Sequence, residues 1–214
     1  MPRIAPVIEI KSLFPTPLVV ADLGEAAAMI PDLRARILAR AAQGPGEQRS
    51  NEGGWQSSDD FQYWGGPGWG TILEAARQLA TTATALAPYV TVEPTPIVWK
   101  VNAWANVNRT GHANARHVHG GAFWSAIFYV DDGGIAGSST LGGGLELWDP
   151  RGGLPLMYAA HVKMLMPGSV NAGLAELHYP KTGELLMFPA WLPHSVEPYR
   201  GSDIRISIAF NLSV

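Results

Sequence analysis

Cysteine is absent from the 214 residues. That excludes disulfides, thiolate metal sites and a cysteine nucleophile together, and leaves His, Asp and Glu as the side chains able to hold a metal. A reducing cytoplasm fits such a chain. Charge is scarce too: Asp, Glu, Lys and Arg make up 15% of residues and the formal net charge is −3. With no basic cluster there is no surface that tracks phosphates, so nucleic acid is not an expected partner. No stretch reaches the roughly 18 apolar residues that a membrane helix needs, and the opening Met1-Pro2-Arg3-Ile4-Ala5-Pro6 lacks the apolar core of a signal peptide. The expectation is a soluble, cytoplasmic protein with no membrane partner.

What is present is apolar. Hydrophobic residues make up 47% of the chain, which excludes disorder and places much of it in buried strands. A mass of 22.9 kDa is enough for one core and short for two. A single domain over 1–214 is expected, helical and loop-rich over about 1–95 and β-rich over about 96–214. From Gly24 to Gln43, Ile30, Leu33, Ile37 and Leu38 recur at helical spacing before Gly44-Pro45-Gly46 stops the run. A second helix is expected over about Trp69 to Ala87, ended by Pro88. Beyond Pro96 the texture changes to short β-branched and aromatic runs: Ile97–Val107, Ala122–Val130, Gly144–Trp148, Leu154–Met166, Glu184–Phe188 and Ile204–Leu212. Short strands without intervening helices favour a sandwich or barrel, with the two helices bracing one face.

Arg116-His117-Val118-His119-Gly120 sets two histidines one residue apart, and on extended backbone both project to the same side. Alone, such a pair is equally a surface accident or two hydrogen-bonded core residues. Downstream, Phe188-Pro189-Ala190-Trp191-Leu192-Pro193-His194 reads as a strand, a proline-bounded turn and a histidine opening the next strand. Imidazole binds Fe, Zn, Cu and Ni alike, so these residues mark a place for a metal more clearly than its identity. Eleven positions after His194, Arg205 interrupts an apolar strand, with Ser207 on the same face. Arg205 either forms an edge salt bridge to Asp203 or Glu197 or clamps the carboxylate of a ligand.

The distal histidine, ten residues, then Arg205-Ile206-Ser207 resembles the way 2-oxoglutarate oxygenases hold iron and the far carboxylate of the co-substrate. The likeness extends through Ser50-Asn51-Glu52-Gly53-Gly54-Trp55, His117-Val118-His119 with Phe128-Tyr129-Val130, Leu147-Trp148-Asp149-Pro150-Arg151 and Arg205-Ile206-Ser207-Ile208-Ala209-Phe210-Asn211. Over about Phe14 to Leu212 the chain is similar to a family of 2OG-Fe(II) oxygenases of bacteria and phages, within the 2-oxoglutarate/Fe(II)-dependent dioxygenase superfamily. The resemblance implies a mainly β, double-stranded β-helix (jelly-roll) barrel with two supporting N-terminal α-helices. It implies Fe(II) on His117, His119 and His194, and 2-oxoglutarate on Arg205 and Ser207. With molecular oxygen, a small-molecule or peptide substrate would be hydroxylated as succinate and CO2 are released.

The wider superfamily has a carboxylate where His119 stands. Three arrangements follow: a three-histidine site, a two-histidine site with His119 turned away, or an open position filled by water or an anion. Glu146 or Asp149 would be an alternative carboxylate. Asn102, Trp104 and Asn108 share strand parity and are candidates for the pocket wall. Asn51 and Trp55 sit in a glycine-rich loop placed either to cover the pocket mouth or to anchor a buried aromatic ring. Arg116 and Arg109 are candidates for gripping an anionic substrate, and Tyr129 for core or pocket wall. His112, His161 and His178 lie outside the spaced pattern. An apolar barrel edge near the helices would make a homodimer unsurprising. Two rivals remain: a cupin-type metalloenzyme that does not use 2-oxoglutarate, which would normally carry a glutamate soon after the paired histidines, and a non-catalytic jelly-roll binding module, which eight tryptophans would suit.

Overall fold

The computed structural model describes residues 9–86, 97–153 and 173–214. The expected strand over Leu154–Met166 lies outside them. The first helical run divides in two: a 3-10 segment over Gly24–Met29, then helix α1 over Ile30–Ala41. Pro31 sits at the start of α1, where its fixed φ favours entry and its missing N–H costs nothing. A short helix α2 (Phe61–Trp64) precedes α3 (Gly66–Thr82), which begins earlier than the apolar spacing indicated because Pro67 opens it.

The strands form two antiparallel sheets. In the larger, β1 (Val19–Asp22), β9 (Glu184–Pro189), β6 (Trp124–Asp131), β11 (Arg205–Ser213), β4 (Lys100–Asn108) and β3 (Trp55–Gln56) lie side by side in that order. The smaller runs β2 (Asn51–Glu52), β5 (Ala113–His117), β10 (His194–Val196), β7 (Leu145–Trp148) and β8 (Ala175–His178). Strand β5 was not among the expected runs, and β1, β2, β3 and β8 were not foreseen. The last four are two to four residues long, and β2, β3 and β8 lie in no apolar run of their own.

The larger sheet is covered on both faces, which is why β9 is buried at every position and, after Glu184, reads as a continuous apolar run. On one face Ala105, Phe128, Ile206, Ile208 and Phe210 pack against Leu33, Ile37 and Ile72 of the helices. Each large apolar side chain sealed there contributes about 1.5–3 kcal/mol. The Trp69 ring meets Phe210 edge-on at 5.1 Å. The opposite face looks toward the smaller sheet, across a second cluster of Tyr129, Leu145, Leu147, Leu186, Phe188 and Leu192. Because side chains alternate along a strand, β11 turns Ile206, Ile208 and Phe210 to the helices and Arg205, Ser207 and Asn211 to the space between the sheets. A cavity of about 490 Å³ occupies that space.

Candidate metal centre

Three histidines from three places meet at one end of this cavity. His117 closes β5 and lies opposite His194, which opens β10. His119 stands beyond the strand end, in the approach to the Gly120-Gly121 turn, and is fixed by its backbone N–H donating to the carbonyl of Ala190 at 2.9 Å. The potential ligand nitrogens of His117, His119 and His194 all lie within 4.8 Å of one another. His119 Nε2 is 3.2 Å from His194 Nε2. Two imidazole nitrogens held at ~2.1 Å by one ion, at right angles, would be ~3 Å apart, so the donor set fits a metal.

The ring orientations fit it as well. Nδ1 of His117 donates to the Ala115 carbonyl at 2.8 Å and Nδ1 of His194 to the Leu192 carbonyl at 2.9 Å. A carbonyl only accepts, so both rings carry their proton on Nδ1 and present the Nε2 lone pair to the cluster. Burial holds all three imidazoles below the usual histidine range, His119 down to about 4 and His194 to about 3, with the neighbouring His117 ring adding to the effect on both. Near neutrality they are uncharged, the form a metal needs.

A folded pKa below the unfolded one means that acid favours the unfolded chain. The metal-free protein is therefore expected to lose stability as pH falls below about 6.5, by about 1.4 kcal/mol per pH unit for each imidazole protonated in the unfolded chain alone. Melting temperatures taken in chelator between pH 7 and pH 5, above the carboxylate range, test this. A flat profile over that window would refute it.

Among the described residues the cluster contains no carboxylate. Glu146 accepts a 2.7 Å hydrogen bond from Ser195 Oγ, and Asp149 binds Arg151 and the Gly173 backbone, so neither takes the place of His119. Nor is Arg205 an edge salt bridge: among the described residues it forms no ion pair, and Glu197 instead accepts from Tyr179. Arg205 is 2% exposed, with its Nε buried and unpartnered. Burial lowers its pKa. The guanidinium lies 5.2 Å from the centre of the Tyr129 ring, whose own buried hydroxyl lacks a partner and is pushed up to about 12, chiefly by burial. In register with Arg205 and Ser207 stand Asn108 and Asn106, and each of these asparagines also has a buried polar atom without a partner. Unpaired buried polar groups around a buried cation are costly unless a ligand satisfies them.

Asn102, Trp104 and Arg116 line the cavity along with His117, Arg205 and Ser207. Arg116 is exposed, its guanidinium 4.9 Å above the Trp148 ring. Asn51 and Trp55 do not line it. The Asn51 amide staples its own loop, donating to the carbonyls of Glu47 and Gly54, and Trp55 Nε1 donates to Gly44. Their neighbours Ser50 and Gln56 reach the cavity instead, a difference of one position that sequence spacing in a glycine-rich loop does not resolve. Asn106, with the same parity as Asn102 and Trp104, was overlooked, as were Ser125 and Asn211; parity alone would have found Asn106.

A family model described as "Putative 2OG-Fe(II) oxygenase" matches residues 102–211. No curated protein matches the chain. Among solved structures, a prolyl-4-hydroxylase of Pseudomonas putida is similar at 18% identity over 92% of this chain and 91% of that one, TM-score 0.60. A Trichoplax adhaerens prolyl hydroxylase, in complex with a hypoxia inducible factor peptide fragment, is similar at 13% identity over 92% and 83%, TM-score 0.63. HygX of Streptomyces hygroscopicus, with nickel and 2-oxoglutarate bound, is similar at 14% identity over 92% and 83%, TM-score 0.57. At such identities these likenesses speak for the fold, the expected jelly roll.

Proposed function

This chain belongs to the 2OG-Fe(II) oxygenase family, and on that footing we propose that it is a hydroxylase-type dioxygenase acting on a small molecule or peptide. Iron(II) and 2-oxoglutarate are the family's metal and co-substrate. The observation that carries the residue assignment is Arg205: buried, without an ion pair, its Nε unpartnered, and lining the same cavity as three converging imidazoles. His117, His119 and His194 would hold the iron. Arg205 and Ser207 would grip the far carboxylate of 2-oxoglutarate, which would give the buried guanidinium the counter-charge it lacks. When bound, the metal and co-substrate supply the oxidising power: one atom of O2 enters succinate as CO2 leaves, and the other enters a substrate C–H bond.

The chain's own residues orient and exclude. Phe188 meets the His194 ring at 4.8 Å and Trp104 the His119 ring at 5.5 Å, walling the metal end with aromatic surface that limits water. Asn102 and the exposed Arg116 line the same cavity and would contact a substrate held there. A peptide is bound by the Trichoplax relative, which supports a peptide or similarly hydrogen-bonding substrate here. The cupin and binding-module readings give Arg205 no purpose.

Anaerobic protein loaded with Fe(II) is expected to develop a weak visible charge-transfer band on addition of 2-oxoglutarate, and to release succinate on admission of O2. Absence of both would reject the assignment.

A further inference from the structure

We propose that Asn211 is the positioning residue that decides whether His119 serves as a third metal ligand, according to which end of its amide faces the His119 ring. The inference rests on the reading that these histidines hold the metal. Asn211 lies on β11 between Ser125 of β6 and Asn102 of β4, is 8% exposed, and lines the cavity. Its Oδ1 accepts from Ser125 Oγ at 3.0 Å, and its Nδ2 stands 3.4 Å from His119 Nδ1.

His119 differs from its two partners in this contact. A backbone carbonyl fixes the proton on Nδ1 of both His117 and His194. At His119 an amide N–H faces Nδ1, so Nδ1 accepts and the ring proton sits on Nε2. There it donates to the lone pair of His194 Nε2, 3.2 Å away. The network of Ser125, Asn211, His119 and His194 is complete and satisfied in this form, with the His194 lone pair already accepting from His119; an ion that displaced that contact would find lone pairs on His117 and His194 and none on His119.

A third lone pair requires the His119 proton to move to Nδ1, which then needs an acceptor. Rotating the Asn211 amide by half a turn supplies one: Oδ1 accepts from His119 Nδ1, and Nδ2 donates to Ser125 Oγ, which as a hydroxyl both donates and accepts. Asparagine is near-symmetric in shape, so the turn displaces nothing around it. Asn211 can therefore satisfy both forms, whereas an acceptor-only side chain would favour ligation and an apolar one would leave Nδ1–H buried and unpaired.

The test uses Co(II) as probe with the full-length protein, measuring affinity by chelator competition and counting exchangeable, paramagnetically shifted imidazole N–H resonances. Wild type and Asn211→Asp should each show three resonances, with Asn211→Asp binding at least as tightly as wild type. Asn211→Leu should bind about tenfold or more weakly and show two. Asn211→Asp keeps the size of asparagine and Asn211→Leu its branched skeleton, and if Asn211→Leu does not fold, Asn211→Asp and the wild-type count decide alone. Only two resonances in wild type, a loss below about threefold in Asn211→Leu, or weakened binding by Asn211→Asp would overturn the proposal. Failure of wild type to bind Co(II) would overturn the metal-centre reading beneath it.

Discussion

An Arg205→Met protein is expected to melt a few degrees higher than its parent in the absence of ligands, and to lose 2-oxoglutarate affinity by roughly 30-fold to several thousand-fold. Both halves follow from one fact: the guanidinium is desolvated without an ion pair. Removing a buried charge that no carboxylate compensates should stabilise the fold by about 1–3 kcal/mol. Loss of its contact with the Tyr129 ring, 5.2 Å away, offsets about 0.5–1 kcal/mol of that. A net gain of one or two kcal/mol moves the melting temperature by about 2–4 °C per kcal/mol in a chain of this size. The binding loss is that of truncating one partner of a buried charged pair, about 2–5 kcal/mol. Thermal melting and anaerobic titration of the Fe(II) form read the two effects separately. A destabilised variant, or one that still binds 2-oxoglutarate as the parent does, would show that Arg205 is structural.

His194→Ala carries the second large effect. If the ~10–16 kcal/mol of a four-ligand metal site is shared evenly, one ligand is worth ~3 kcal/mol, so Co(II) or Fe(II) affinity should fall by roughly 100-fold or more. His194 is also the ring whose proton affinity burial depresses most among the three, down to about 3. The variant should therefore lose part of the acid sensitivity of the metal-free protein between pH 7 and pH 5, even though it gives up the 2.9 Å hydrogen bond to Leu192. Unchanged metal affinity would remove His194 from the site. An unchanged acid profile would mean that other groups govern it.

Much of this was readable in the chain. The apolar runs located β4, β6, β9 and β11 within a few residues because these strands are long or buried on both faces, and β7 because the Gly142-Gly143-Gly144 turn marks its start. The paired histidines stood out by their spacing and His194 by opening a strand after a proline-bounded turn, whereas Arg205 is a charge set in an apolar run, where only a partner or a ligand makes burial tolerable. Less legible was anything fixed by tertiary approach. Nothing in Asn51 or Trp55 says that their side chains bind their own loop while Ser50 and Gln56 face the cavity. His119 leaves the strand at its end, so its arrival beside His194 depends on the Ala190 carbonyl across a contact 71 positions away in sequence. The pairing of Asn211 with Ser125 likewise exists only once β11 has found its register against β6.

That register has a metrical consequence. Strand β11 is hydrogen-bonded along its length, to β4 from Arg205 through Ser213 and to β6 from Ile206 through Leu212, so it can neither slide nor stretch. It presents Arg205 at one end and Asn211, the neighbour of His119, six residues on, both turned to the same cavity. The fixed strand holds Arg205 at a set distance from the histidine cluster. On the residue roles proposed above, a dicarboxylate has to match that set distance, so homologues of 2-oxoglutarate one methylene shorter or longer are expected to bind less tightly.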